Sequence, residues 1–214
     1  MILHTLNFII FGIMNRTPQV LRPGPDDPGI LPVIAGRWSS RAFNPEKIPS
    51  VEILNRLIEA ARWAPSAMNN QPWRFMTFGP ENEKALKQAR AVLTSGNSWA
   101  LAAPRLLFIL IRTDRIDGKE NFRADFETGM ATAQMALQAA HEGLAFHQMA
   151  GFNAESFRDA FSLPGNFKPV TAVALGYPGL IDQVPSGKRD METSLRIRKD
   201  VTEIVFSNGE VPKL

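Results

Sequence analysis

From Arg105 to Ile111 the chain reads Arg-Leu-Leu-Phe-Ile-Leu-Ile, bounded by Pro104 and by Thr113-Asp114. A near-continuous apolar run of strand length between turn residues predicts a central strand buried on both faces. From Ser50 to Ala64, Leu54, Leu57, Ile58 and Ala61 follow the i, i+3, i+4, i+7 pattern of a helix, with Ser50 as N-cap and Pro65 as the stop. Trp73 to Phe78 predicts a strand, and Pro80 opens a helix to about Ser95 with Leu86, Ala89, Val92 and Leu93 on one face. Asp125 to Glu142 is the longest periodic segment, with Phe126, Met130, Ala133 and Leu137 in one stripe and Met130 and Met135 as core filler. Leu144 to Ala150 and Val170 to Leu175 predict two more strands, and Asn153 to Phe161 a short helix. Helices and strands alternate without a glycine-rich strand-to-helix turn, which indicates an α+β or mixed-sheet domain.

The 214 residues, 44% of them hydrophobic, suffice for one domain with a sizeable core. With no cysteine there is no disulfide framework, thiolate nucleophile, cysteine zinc site or cysteine-held iron–sulfur cluster. Lys and Arg number 24 against 21 Asp and Glu, and this small excess is spread along the chain, which argues against a nucleic-acid partner. Ile2 to Ile13 is apolar but shorter than the roughly 20 residues of a membrane span. It lacks the basic start and small-residue cleavage site of a secretion signal. The expectation is an apolar arm, or an over-extended start with Met14 as initiator, in a cytoplasmic protein without stable membrane insertion. Pro18, Pro23, Pro25, Pro28 and Pro32 predict that Thr17 to Gly36 is extended. The expected organisation is an arm over residues 1–35 and a domain over residues 36–214.

The chain has no G-x-G-x-x-G, no G-x-x-x-x-G-K-[ST] and no G-x-S-x-G. His141 and His147 are six residues apart with Gly143 between them, so they do not form a zincin pair, and no metal site is expected. Two clusters carry chemistry. In Arg37-Trp38-Ser39-Ser40-Arg41, an extended backbone places Arg37, Ser39 and Arg41 at every second position, where two guanidinium forks and a hydroxyl can address one phosphate. The alternative is a solvated basic turn. In Ala64 to Trp73, two prolines frame small and amide residues, and Asn69 and Gln71 offer the donor and acceptor pairs that a heterocycle edge requires. The alternative there is a turn whose amides satisfy local backbone.

In this order and spacing the clusters resemble the nitroreductase family. The likeness rests on R-x-S-x-R-x-F at Arg37 to Phe43, L-x-x-L-I-E-A-A at Leu54 to Ala61, and A-P-S-x-x-N-x-Q-P-W-x-F at Ala64 to Phe75. Ala150-Gly151-Phe152, Leu175-Gly176-Tyr177-Pro178 and Arg196-Ile197-Arg198 add to it. The resemblance implies a three-layer α/β/α-type domain with a mixed, mainly antiparallel sheet, and a homodimer with FMN at the interface. It implies that Arg37, Trp38, Ser39, Arg41, Arg196 and Arg198 lie on the phosphate side. Pro65, Ser66, Ala67 and Asn69 would come from the partner subunit with Gln71 beside them, and Met149, Ala150 and Gly151 would bring a backbone N–H to the reactive flavin nitrogen. It further implies NAD(P)H as donor and a small electron acceptor, nitroaromatic, quinone or activated alkene, served by ping-pong hydride transfer with no acid or base residue. Other activities on the same fold, such as dehalogenation, dehydrogenation or flavin fragmentation, and a non-catalytic FMN-binding role remain open alternatives.

Overall fold

Every strand of the sheet lies antiparallel to its neighbours in a computed structural model that describes residues 29–115 and 117–206. The strands are β1 (Trp73–Phe78), β2 (Arg105–Arg112), β3 (Ala145–Met149) and β4 (Phe167–Gly176), in the order β1-β2-β4-β3. The apolar run of β2 lies inside the sheet. Leu106, Phe108 and Leu110 enter one core, and Leu107 and Ile109 enter the other. Its first residue, Arg105, is buried because its Nε donates to the Pro49 carbonyl at 2.6 Å and its guanidinium pairs with Glu81.

Helices cover both faces. On one side α3 (Glu83–Ala91) and α5 (Ala154–Ala160) enclose an aromatic cluster in which Phe108 stacks on Phe157 at 4.0 Å between centroids. On the other side α2 (Val51–Arg62) and α4 (Ala124–His141) pack over Trp73, Phe146 and Leu175. The Ser50 hydroxyl caps α2 by accepting the Ile53 N–H at 3.3 Å, and Asn153 caps α5 by accepting the Ser156 N–H at 2.8 Å. The α+β, three-layer expectation is met.

Several expectations change. Pro32–Gly36 is a short helix, α1, rather than extended chain, because Pro32 stands in the first turn, where its missing N–H costs nothing. The expected arm boundary at residue 35 falls within this turn, and residues 1–28 of the arm lie outside the described residues. Helix α2 ends at Arg62 rather than Ala64. Helix α3 ends at Ala91, after which Leu93 bridges to Phe152 and Ser95–Ala102 forms a 3₁₀ segment. Strand β4 begins three residues earlier than predicted. Val170 is the extra residue of a bulge, and Pro169 sits beyond the end of β3, where no second neighbour needs its N–H.

The largest difference concerns α4. Ala124, Glu127, Thr128, Ala131, Thr132, Met135, Ala136 and Ala139 face the core, so the predicted stripe of Phe126, Met130, Ala133 and Leu137 is turned away from it. Phe126 is 69% exposed and Ala133 is exposed, while Met130 and Leu137 are half-buried. Met135 is core filler as expected, and Met130 packs at the core edge.

Candidate functional site

The segment before Ala42 is extended, and residues remote in sequence gather on it. Arg196 Nη1 donates to the Arg37 carbonyl at 3.0 Å, across 159 residues. Arg37 Nη1 reaches the Ser39 hydroxyl at 3.5 Å. Burial holds the Arg37 guanidinium below its ordinary pKa, and the charges of Arg198 and then Arg196 lower it further. Three like charges therefore crowd one half-buried spot, a positive potential that an anion would relieve. Trp38 beside them is half-buried.

Arg41 is placed differently from the expectation that it shares one anion with Arg37. Its Nη1 pairs at 3.0 Å with Glu192, a fully buried carboxylate on α6 (Arg189–Thr193). The other Glu192 oxygen accepts the Arg41 N–H at 3.2 Å and lies 3.5 Å from the Ser40 hydroxyl. The Arg41 guanidinium carbon lies 5.7 Å from the centre of the Trp99 ring. Glu192 thus fastens the start of the C-terminal segment to the Arg37–Arg41 segment. Arg74 donates to the carbonyls of Gln71 and Trp73 at 2.9 and 2.7 Å.

The Ala64–Trp73 loop forms a separate unit. Ser66 Oγ accepts the Gln71 N–H at 3.0 Å, and Gln71 Nε2 donates to Asn69 Oδ1 at 3.0 Å. The Ala67 N–H is taken at 2.8 Å by Oε1 of the buried Glu127 on α4. Met68, Asn69 and Gln71 have φ of 55°, 54° and 46°, left-handed values that ordinary side chains adopt at a cost of about 1–2 kcal/mol each. Pro65 precedes this unit, and Met68 at its crest is 90% exposed.

The end of β3 is tied to the Arg37–Arg41 segment by His147, whose Nδ1 lies 3.0 Å from the Ser40 carbonyl. A carbonyl only accepts, so Nδ1 carries the proton and the neutral ring keeps Nε2 as an acceptor. The imidazole also packs 4.3 Å from the Trp99 ring, and Trp99 is the core aromatic, stacked on Phe43 at 6.2 Å. Beyond His147 lie buried Met149, exposed Ala150 and half-buried Gly151. Asn97 Nδ2 donates to the Gly151 carbonyl at 2.9 Å.

Sequence reasoning missed Glu127 and Glu192 and the parts played by Ser40 and His147, because each meets its remote partner only through tertiary packing. Burial lowers the His147 pKa from 6.5 to about 4. The unfolded chain therefore binds the extra proton first, and stability is lost as pH falls from about 6.5 through about 4. Over that window the wild type should lose about 3 kcal/mol that a His147→Phe variant does not lose. Denaturant unfolding of both at a series of pH values checks this, and parallel curves would refute it.

Two surface clefts lie elsewhere, one lined by Val33, Trp63 and Leu137 among others, the second by Leu54, Met76 and Phe161 among others. Neither is lined by Arg37, Arg196 or Arg198.

The chain matches the nitroreductase family over residues 34–95 and 81–177. It is 27% identical over 113 residues to the oxygen-insensitive NAD(P)H nitroreductase of Salmonella typhimurium, an alignment covering 49% of this chain and 52% of that protein. Among solved structures, a crystal structure of an oxidoreductase containing FMN matches with a TM-score of 0.78 and 28% identity, over 91% of this chain and 98% of that one. A nitroreductase family protein of Clostridium difficile 630 matches with a TM-score of 0.63 and 28% identity, over 82% of this chain and 96% of that one. This chain belongs to the nitroreductase family.

Proposed function

We propose that this protein is a homodimeric, FMN-dependent NAD(P)H oxidoreductase that reduces nitroaromatic, quinone or activated-alkene acceptors. The observation that carries the reading is the crowding of Arg37, Arg196 and Arg198, with the Ser39 hydroxyl beside Arg37. A phosphate dianion fits this donor set, because guanidinium forks match its oxygens and stay charged at any physiological pH. The likeness to an oxidoreductase containing FMN, at 28% identity, supports the same ligand.

In this reading Arg37, Ser39, Arg196 and Arg198 hold the phosphate, with Trp38 alongside. Arg41, held by Glu192, contributes positive charge at the next position along the segment. FMN, when bound, would supply the hydride-transfer chemistry of a ping-pong cycle between NAD(P)H and an acceptor. The end of β3, Met149 to Gly151, offers a backbone N–H to the flavin ring. Pro65, Ser66, Ala67, Asn69 and Gln71 come from the second copy and meet the flavin edge with their amides.

The second copy is supported by the exposed Phe126 and Ala133 and the half-buried Met130 and Leu137, which lie on the outward side of α4. Exposed large apolar side chains grouped on one face mark a surface that another molecule covers. Phe122 is 86% exposed one turn before Phe126, and Met68 on the amide loop is exposed as well. Among the described residues no helix is long and apolar enough to cross a membrane.

The test is anaerobic titration of the FMN-loaded protein with NADH and with NADPH, alongside light scattering. The expected result is bleaching of the yellow flavin, recovery on adding a quinone, and twice the monomer mass. A bound flavin that neither nucleotide reduces would leave only the non-catalytic FMN-binding role.

A further inference from the structure

The Gly151 carbonyl accepts from three donors at once: the Thr94 N–H at 3.1 Å, the Thr94 hydroxyl at 3.0 Å and the Asn97 side-chain amide at 2.9 Å. A carbonyl oxygen has two lone pairs, so this acceptor is filled beyond its ordinary capacity. All three donors come from the short stretch after α3, more than fifty residues earlier in the chain. The fit is close. A Cβ on residue 151 would lie 2.6 Å from Asn97 Nδ2 and 2.7 Å from Thr94 Oγ1, so only glycine lets the clasp shut. Asn97 is itself fixed, since its N–H donates to the Thr94 carbonyl at 2.9 Å and its backbone departs from helical geometry. On either side the chain is pinned again, by the Leu93–Phe152 bridge and by the Asn153 N–H on the Val92 carbonyl at 2.8 Å. The Gly151 N–H, by contrast, has no acceptor among the described residues.

The Gly151 carbonyl shares its peptide plane with the Phe152 N–H, and that N–H donates to the Ala150 carbonyl at 3.0 Å, so the adjoining Ala150–Gly151 peptide, which carries the open Gly151 N–H, is held as well. We propose that Thr94 and Asn97 are positioning residues: by clasping the Gly151 carbonyl they hold the Gly151–Phe152 peptide, and through its Phe152 N–H the Ala150–Gly151 peptide, so that the Gly151 N–H is aimed before any ligand arrives. This rests on the FMN reading above, in which that N–H meets the flavin ring. The clasp gives the reaction a fixed dipole beside the ring, where it steadies developing negative charge without reorganising. Thr94 and Asn97 touch neither flavin nor substrate in this assignment and act only through Gly151.

The double variant Thr94→Val/Asn97→Asp keeps side-chain shape but removes the hydroxyl and replaces the amide donor with a carboxylate facing the carbonyl. In the flavin-free protein, amide hydrogen exchange at Thr94 and Phe152, whose N–H groups are bonded within the clasp, should speed up by about tenfold or more. In the FMN-loaded protein, the NADH-driven kcat should fall about tenfold or more, with KM changed less than about threefold, because misplacement penalises the reacting geometry rather than nucleotide binding. The flavin midpoint potential should shift in the double variant, and the conservative Thr94→Ser should match wild type. A wild type that takes up FMN and is indistinguishable from the double variant in kcat and potential overturns the assignment alone. A wild type that does not take up FMN overturns the functional reading and this assignment with it.

Discussion

Glu192→Ala is expected to cost about 3–5 kcal/mol of stability, the usual consequence of removing one partner of a buried ion pair and leaving the other charge uncompensated. The carboxylate is fully buried and serves three donors, the Arg41 side chain, the Arg41 N–H and the Ser40 hydroxyl. Its loss strands the Arg41 guanidinium and N–H, while the Ser40 hydroxyl keeps the Ala42 carbonyl at 3.3 Å. Denaturant unfolding at neutral pH measures the effect, and a loss below about 1 kcal/mol would show that the pair is no better than a surface salt bridge. Replacing both partners, Arg41→Met with Glu192→Leu, should recover much of the loss, since packed apolar residues often substitute for a buried pair. Flavin uptake should weaken in the single variant beyond what stability alone explains. The residue fastens the segment that carries Arg196 and Arg198, so the gathering of arginines depends on it.

Arg37→Ala is expected to weaken FMN binding about 10- to 100-fold, from the roughly 1.5–3 kcal/mol of a charge-assisted hydrogen bond. Riboflavin, which lacks the phosphate, should bind the variant as it binds wild type. Comparing the two ligands by fluorescence quenching separates a lost phosphate contact from a disturbed fold, because damage to the fold weakens both equally. Arg198→Ala should act in the same direction and less strongly, since Arg198 is exposed. Unchanged FMN affinity in both variants would reject the phosphate assignment.

The sequence made some of this legible. Strand β2 was evident because burial on both faces leaves no polar alternation to confuse it, and the Ser50 cap was evident because capping is local. The direction of α4 was not. With apolar residues at Phe126, Met130 and Leu137 and small ones at Ala131, Ala136 and Ala139, periodicity finds two apolar faces and cannot rank them. The alanine face won the core because it lets the helix sit close against the sheet. The Arg37 and Arg196 segments could be joined only through a family likeness, since nothing local brings together residues 159 apart. Glu192 was invisible: a glutamate in a five-residue helix reads as surface until Arg41 is seen across it.

The outward face of α4 has a consequence for how flavin uptake should be measured. If each flavin is enclosed by two copies, the apparent affinity is a property of protein concentration as well as of ligand, because association and loading draw on the same equilibrium. Dilution should then release FMN, and added FMN should hold together pairs that would otherwise separate. Saturation curves recorded at different protein concentrations would fail to superimpose, and their displacement would report the strength of the contact made by Phe126 and its neighbours.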